Sequence, residues 1–447
     1  MNTMVFICTL LALQGICWWV GKKSSKGCST QNDYFLGGKG ISFFPLMMTF
    51  LGGQVGGGLV LGSAQEAAKI GWWVLLYPLG QVLGMIWLSA GLGRRLAAFE
   101  VPTVAQVFEK FYSSPLLKRV ASLLSIISLF IILVAQVLAT RGFLVSAGVD
   151  STWLFLLFWG LVLTYTGMGG FKAVIRTDLI QASFFIVMFG AAFAYAFFSP
   201  HPQTAPSLTT ASSISLSKLS GWLLMPFLFA ALEQDMGQRC FAAKSNSILK
   251  KSAFTAGCLT FLICLVPIYF GVTASQMGIT AKSGAGVLIT AIELTTSPLM
   301  AALVGSAIIA AILATSDSLL NAITSNLSQD FSFLKKRPLN VTRVVSISIG
   351  SLAIFISFYF DNIVGLLIQA YELSVCTMVV PLLGALFKRS QGNIISAVLA
   401  ITFGAGGFFF FRLVPTDFPN EIGALSLSLL GYVAGELKEK LRAVPNG

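Results

Sequence analysis

The chain has 447 residues, 56% of them hydrophobic and 10% charged, with a mean hydropathy of +0.84. Soluble domains run at about 45–50% apolar and about 25% charged, which excludes an ordinary cytosolic enzyme, and disorder with it. The formal charge of +12 would suit a nucleic-acid binder, but in a membrane protein the side on which charge sits matters more than its sum.

Apolar runs of about 20 residues cross a bilayer as helices, and such runs recur from end to end. The first, near Val5–Val20, could pass for a secretory h-region, but Lys22, Lys23 and Lys26 follow it and no basic residue precedes it. That order suits an uncleaved span with its N-terminus outside. Next come Ser42–Glu66, Trp72–Leu92, Val120–Gly142, Trp153–Thr166 and Thr177–Phe198. Beyond a Ser-, Thr- and Pro-rich outer loop from Ser199 to Ser220 lie Gly221–Phe241, Ser252–Thr273, Pro298–Asn326 and Val341–Phe360. Ile363–Phe387, Ile394–Phe411 and Ile422–Ala434 complete the set. The fold class is an all-α polytopic membrane protein with about thirteen transmembrane helices.

With the N-terminus outside, alternate loops face the cytoplasm. Of the 29 Lys and Arg, all but Lys69, Arg141, Lys218, Lys282 and Arg412 fall on that side. The positive-inside rule therefore places the C-terminus in the cytoplasm. The lipid bilayer is the expected partner, in a plasma membrane of the bacterial inner-membrane type. Much of the positive charge is then a topology signal, and no nucleic acid is expected.

His201 is the sole histidine, and the seven cysteines are scattered without a C-x-x-C pair, as suits small buried thiols. No His-centred triad, His-metal cluster or convincing nucleophile–base pair can be assembled, so no enzyme activity is expected. Without a Walker motif an ATP-driven pump is not expected either.

Two spans carry interruptions. Gly52, Gly53, Gly56, Gly57 and Gly58 surround Gln54 in the second, and each Gly weakens a helix by about 1 kcal/mol relative to Ala. Close packing through small residues is the competing explanation. The seventh span contains Glu233-Gln234-Asp235-Met236-Gly237-Gln238-Arg239, with Pro226 shortly before it. Charges at membrane depth usually face a cavity or a partner. For Asp235 and Arg239 a solvated helix end near the cytoplasm is equally open. Spans two to six and seven to eleven make two five-helix sets, and the odd number inverts the second relative to the first. Broken helices at matching places of inverted repeats point to a midplane substrate site. The division reads 1–41, an extra N-terminal helix and cytoplasmic loop; 42–200 and 219–388, the two repeats; and 391–437, two C-terminal helices.

The run from Gly169-Gly170 through Thr177-Asp178 to Gln181 resembles the signature of the sodium:solute symporter family. Ala310-Ala311-Ile312-Leu313-Ala314-Thr315-Ser316-Asp317-Ser318 resembles that family's sodium-site helix, and residues 55–67 are similar to its high-affinity choline transporter branch. The resemblance implies a broken-helix 5+5 inverted repeat and a symporter coupling sodium to uptake of a small polar organic solute by alternating access. Proton coupling on the same fold, or a solute sensor that does not transport, are the alternatives. The cofactor it implies is a sodium ion, held by carbonyls of Gly52, Val55 and Ala311 and the hydroxyl of Thr315. Ala314 departs from the family, which usually has serine there. Asp178, Asp317 and Ser318 correspond to a second sodium site, although Asp178 can equally pair with Arg176 or another basic residue. Local back-bonding is the ordinary role for Thr315, Ser316 and Ser318. The positions of the choline cage correspond to Gln54, Gln81, Leu133 and Glu233. None is aromatic, so a hydrogen-bonding solute fits better than a quaternary ammonium. Glu372 is a further intramembrane carboxylate.

Overall fold

The structure, a computed structural model, describes residues 1–25, 31–37, 40–198, 215–279, 284–331, 337–388, 390–414 and 418–443. His201, Cys28, most of the expected outer loop (199–214), and Lys26, Lys39, Lys282, Lys335, Lys336 and Arg389 of the sidedness argument lie outside the described residues. The regular secondary structure among the described residues is helical, apart from one bridge between Ile41 and Ala243.

In chain order, α1 (Thr3–Ser25) and the short α2 (Gln31–Leu36) precede α3 (Phe43–Gln54) and α4 (Ser63–Ile70). Then come α5 (Leu76–Trp87), α6 (Gly93–Ala97), α7 (Val104–Tyr112), α8 (Pro115–Ser146) and α9 (Thr152–Phe198). The second half comprises α10 (Leu216–Leu219), α11 (Met225–Phe229), α12 (Gln234–Ala242), α13 (Asn246–Gln276), α14 (Gly284–Thr295) and α15 (Pro298–Asp330). It ends with α16 (Leu339–Ser357), α17 (Ile363–Ser374), α18 (Val380–Phe387), α19 (Ile394–Leu413) and α20 (Asn420–Ala443).

Among the described residues, 10 helical stretches are long and apolar enough to cross a membrane. The difference from thirteen has three sources. The second expected span is divided, its later part joining the third in Gly58–Ala97 while the 12-residue α3 falls short of a span, and the fifth and sixth merge in Thr152–Phe198. The last, α20, carries Glu436, Lys438 and Glu439 in its final turns and is not among the ten. At about 1.5 Å per residue, the 47 residues of α9 would run to about twice the ~30 Å hydrocarbon thickness if straight. The helix instead breaks in two at Gly170, whose φ of 59° and ψ of −161° only glycine adopts readily. Tyr34 of α2 packs directly on this bend, where a Cβ would strike it, and donates to the Gly167 carbonyl at 2.8 Å. The Gly169-Gly170 pair therefore marks a kink between two helices.

At the centre runs α15, with 83% of its apolar window buried, against 28% for α16 at the periphery. Ala307, Ala310, Ala311 and Ala314 keep α15 slim, so α1, α3, α8, α9 and α12 pack closely around it. Trp153, Leu157, Phe197, Phe355 and Phe409 lie exposed on the outside, as a lipid-facing surface requires. Cys17, Cys240, Cys264 and Cys376 are buried, while Cys8 and Cys258 are exposed on that outer surface.

The first expected break is where the glycines are. Helix α3 stops at Gln54, and a π-helical turn resumes at Gly58. The Gly57 N–H, left without an intrahelical acceptor, donates to Gln136 Oε1 of α8 at 2.7 Å. A Cβ on Gly56 would fall 2.8 Å from Thr315 Oγ1, so α15 reaches the break only because no side chain stands there. The second break lies upstream of its expected place. It occupies residues 230–233, after α11, and the polar run from Gln234 to Arg239 is itself helical. Glu233 and Asp235 sit at the start of α12, where the helix dipole favours negative charge, so these residues begin a helix instead of interrupting one.

Besides the short α2, two longer helices fall outside the spans expected from hydropathy. One is α14 and the other α7, whose N-cap Thr103 accepts from Gln106 N. The spacing of Val104, Val107, Phe108 and Phe111 was the available signal for α7.

Candidate functional site

The two breaks face each other across a cavity of about 20 Å³, room for one water on the scale where about 10–15 Å³ holds one. Its walls include Gln54, Gln81 and Glu233, three of the four positions named from the sequence, together with Tyr77, Gln136 and Tyr371. Gln54 Nε2 donates to Glu233 Oε2 at 2.9 Å, linking the two broken helices directly. Gln81 Nε2 donates to the Tyr371 hydroxyl at 3.2 Å. Leu133 is buried but does not line this space; Ile132 and Gln136 of the same helix do. Gln136 was legible as an amide in the apolar middle of a 32-residue helix.

Beside the cavity, Thr315 Oγ1 donates to the Gly52 carbonyl at 3.0 Å and lies 3.4 Å from the Ala311 carbonyl. Val55 follows α3 in the break, with its N–H on Leu51 O. Gly52, Ala311 and Thr315 therefore form one oxygen cluster at the broken end of α3. Ser316 back-bonds to Ile312 O at 2.7 Å and takes no part in it.

Asp178, Asp317 and Ser318 do not converge on a common space. Ser318 Oγ accepts from Arg239 Nη2 at 2.7 Å, and Asp178 Oδ2 accepts from the same nitrogen at 3.4 Å and from Thr49 Oγ1 at 2.5 Å. Asp317 turns toward α9, accepting from Tyr165 at 2.9 Å and Thr166 at 2.5 Å. Arg239 also donates to the Asp235 carboxylate at 3.2 Å and carbonyl at 2.8 Å. Arg239, Asp235 and Asp178 are all fully buried, so the solvated-helix-end alternative for Asp235 and Arg239 is excluded. Gly53 makes room for the guanidinium, since a Cβ there would lie 2.7 Å from Nη2. Arg176, the other basic residue considered for Asp178, bonds Ser24 at 3.0 Å.

Glu372 lies elsewhere. It pairs with Arg412 at 2.7 Å on the wall of a separate cavity of about 690 Å³, shared with Glu66, Lys69, Lys218 and Trp222. Leu367 borders the small cavity and Val364 and Ile368, on the same helix, border the large one.

The Sodium:solute symporter family profile matches residues 34–399. A sodium/pantothenate symporter of Haemophilus influenzae is 29% identical over 165 residues, covering 35% of this chain and 33% of that relative. The human sodium/glucose cotransporter 4 is 25% identical over 299 residues, covering 56% of this chain and 41% of the relative. These matches thus span about a third to two fifths of the relatives' own lengths. In fold, the chain is similar to a Na+-coupled sialic acid symporter solved in a substrate-bound outward-open state. The TM-score is 0.79 at 17% identity, with 98% of each chain covered. The match is to the family at large and does not single out its choline branch. Sodium in this family is a co-transported substrate, so it is not a cofactor as the sequence suggested. With a broken-helix fold, an oxygen cluster at the break and a family profile covering most of its length, the chain belongs to the sodium:solute symporter family.

Proposed function

We propose that this protein is a secondary symporter that couples sodium entry to uptake of a small polar organic solute. The observation that carries the reading is the joint placement of two groups at one broken helix. Carbonyls of Gly52 and Ala311 with the Thr315 hydroxyl make a hard-cation donor set. Gln54, Gln81 and Glu233 face the adjoining cavity. A sodium ion bound by Gly52, Val55, Ala311 and Thr315 would hold the α3 break against α15. That braces the wall on which the solute sits, so occupancy of one site favours the other.

The solute class follows from the walls. Two amides and a carboxylate, with the tyrosine hydroxyls of Tyr77 and Tyr371, favour a ligand rich in hydrogen-bond donors, carrying a cationic group for Glu233. Among the described residues no basic side chain forms an ion pair with Glu233, which instead accepts from Gln54. The cavity as it stands is water-sized, so solute entry requires the two broken helices to separate, in keeping with alternating access.

In this reading residues 42–200 and 219–388 are the two repeats, flanked by 1–41 and 391–437. The N-terminus is external, the C-terminus cytoplasmic, and the membrane is a plasma membrane. A cavity carboxylate such as Glu233, held by Gln54 and with no basic side chain paired to it among the described residues, also supports a proton-coupled version of the same transporter, and the experiment separates the two. Purified protein is screened for thermal stabilisation by a panel of small amines, amino acids, polyols and sugars, in sodium and in potassium. Stabilisation by one solute only in sodium supports the sodium symporter. Equal stabilisation in both salts refutes it and leaves proton coupling.

A further inference from the structure

Ala314 lacks the hydroxyl that the sodium-site helix of the family usually offers, yet the space beside it is not purely apolar. A Cβ built on Gly52 would lie 3.1 Å from Asp178 Cγ and 3.3 Å from the Ala314 methyl. Asp178 and Ala314 therefore border the same glycine whose carbonyl Thr315 reaches. The two oxygens of Asp178 differ. Oδ2 is taken by Thr49 and by Arg239. Oδ1 is buried and has no hydrogen-bond partner among the described residues. A buried acceptor left unmade is costly and marks a place for a donor or a cation.

The other half of the relationship concerns the second ion. A cation bridging Asp178 Oδ2 and Ser318 Oγ would have to occupy the space that Arg239 Nη2 fills, at 3.4 Å and 2.7 Å from them. Asp317, the third oxygen donor expected there, is committed to Tyr165 and Thr166. The guanidinium is itself fixed by Asp235, by the absent side chain at Gly53 and by the Phe171 ring 6.0 Å away. Its positive charge is covalently tethered and cannot be carried across the membrane.

We propose that this chain takes one sodium ion per cycle and not two. The Oδ1 atom of Asp178 supplies the ligand that Ala314 lacks at the Gly52–Thr315 site, and Arg239 stands permanently where a second ion would sit. The inference rests on the sodium-coupled reading given above.

The experiment counts radiolabelled sodium bound to the purified full chain by equilibrium dialysis, with sodium alone as the probe. One ion per chain is expected. Asp178→Asn should weaken binding at least tenfold, and adding Ala314→Ser to that variant should recover most of the loss by restoring a hydroxyl ligand. Ser318→Ala, which removes a hydroxyl that accepts from the guanidinium, should leave count and affinity within twofold. Two ions per wild-type chain overturn the proposal while leaving sodium coupling intact. So does an Asp178→Asn variant that binds sodium like wild type. No saturable sodium binding overturns both readings. Because the wild-type count is decisive alone, a variant that fails to fold does not remove the test.

Discussion

Arg239 and Ser318 meet in the middle of the helix bundle, Nη2 to Oγ at 2.7 Å, from the half-helix that follows the second break and from the central helix. The guanidinium has no exposure to solvent. It reaches carboxylates of Asp235 and Asp178 at 3.2 Å and 3.4 Å, so three helices share one buried charge. A buried ion of this kind adds little net stability over apolar packing, but removing one partner strands the others.

Arg239→Met should accordingly destabilise the protein by about 3–5 kcal/mol, seen as a lower thermal midpoint in detergent. Arg239→Lys, which keeps the charge but loses the planar fork, should fall between the two. A midpoint for Arg239→Met equal to wild type would show that the guanidinium does not organise the core.

Gln136 carries a second structural duty beside the cavity, accepting from the Gly57 N–H at the first break. Replacing it by leucine leaves a buried donor unpaired at a cost of about 1–3 kcal/mol. Gly57→Ala should cost a similar amount, because its methyl would press on Ala139. Each variant is checked by its thermal midpoint, and the pair of them together should lose less than the sum, since both relax the same contact.

Thr315→Ala should reduce sodium affinity about tenfold, or ~1.4 kcal/mol, because the hydroxyl that bridges Gly52 and Ala311 carbonyls is lost. Thr315→Ser keeps the oxygen and should stay within threefold. Sodium titrations of thermal stability measure both. Unchanged sodium dependence in Thr315→Ala would remove this residue from the ion site.

Glu233→Gln keeps an acceptor for Gln54 but removes the one carboxylate that lines the small cavity among the described residues. Solute affinity should drop at least tenfold while sodium binding changes little. Sodium and solute titrations of the same preparation separate the two effects. An undiminished solute affinity would mean that the solute presents no cationic group to Glu233.

The features that were legible in the sequence are those set by strong local physics. Hydropathy located the spans, and the glycines from Gly52 to Gly58 marked the first break, because glycine weakens a helix wherever it packs. Glu233 was readable as a cavity residue, since a carboxylate at that depth needs a reason to be there. The second break was displaced because polarity alone does not stop a helix; Gln234 to Arg239 stay helical by bonding to groups far away in sequence. For the same reason the partner of Asp178 was hidden. Arg239 lies 61 residues away, and only tertiary packing brings it closer than Arg176. Leu133 failed on register: on a helix, a shift of one residue turns a side chain about 100° away, and Ile132 faces the cavity instead. The kink at Gly170 was read as a family signature without its cause, because the crowding partner, Tyr34, belongs to a helix that hydropathy does not detect.

In a sodium symporter of this kind an inward sodium gradient drives solute uptake. The most direct test is uptake into proteoliposomes of whichever solute stabilises the purified protein, with sodium outside, sodium on both sides, or a proton gradient alone. Sodium coupling predicts accumulation only under the inward sodium gradient, surviving a protonophore and abolished in Thr315→Ala at low sodium. Accumulation that ignores sodium but collapses with the protonophore would contradict it.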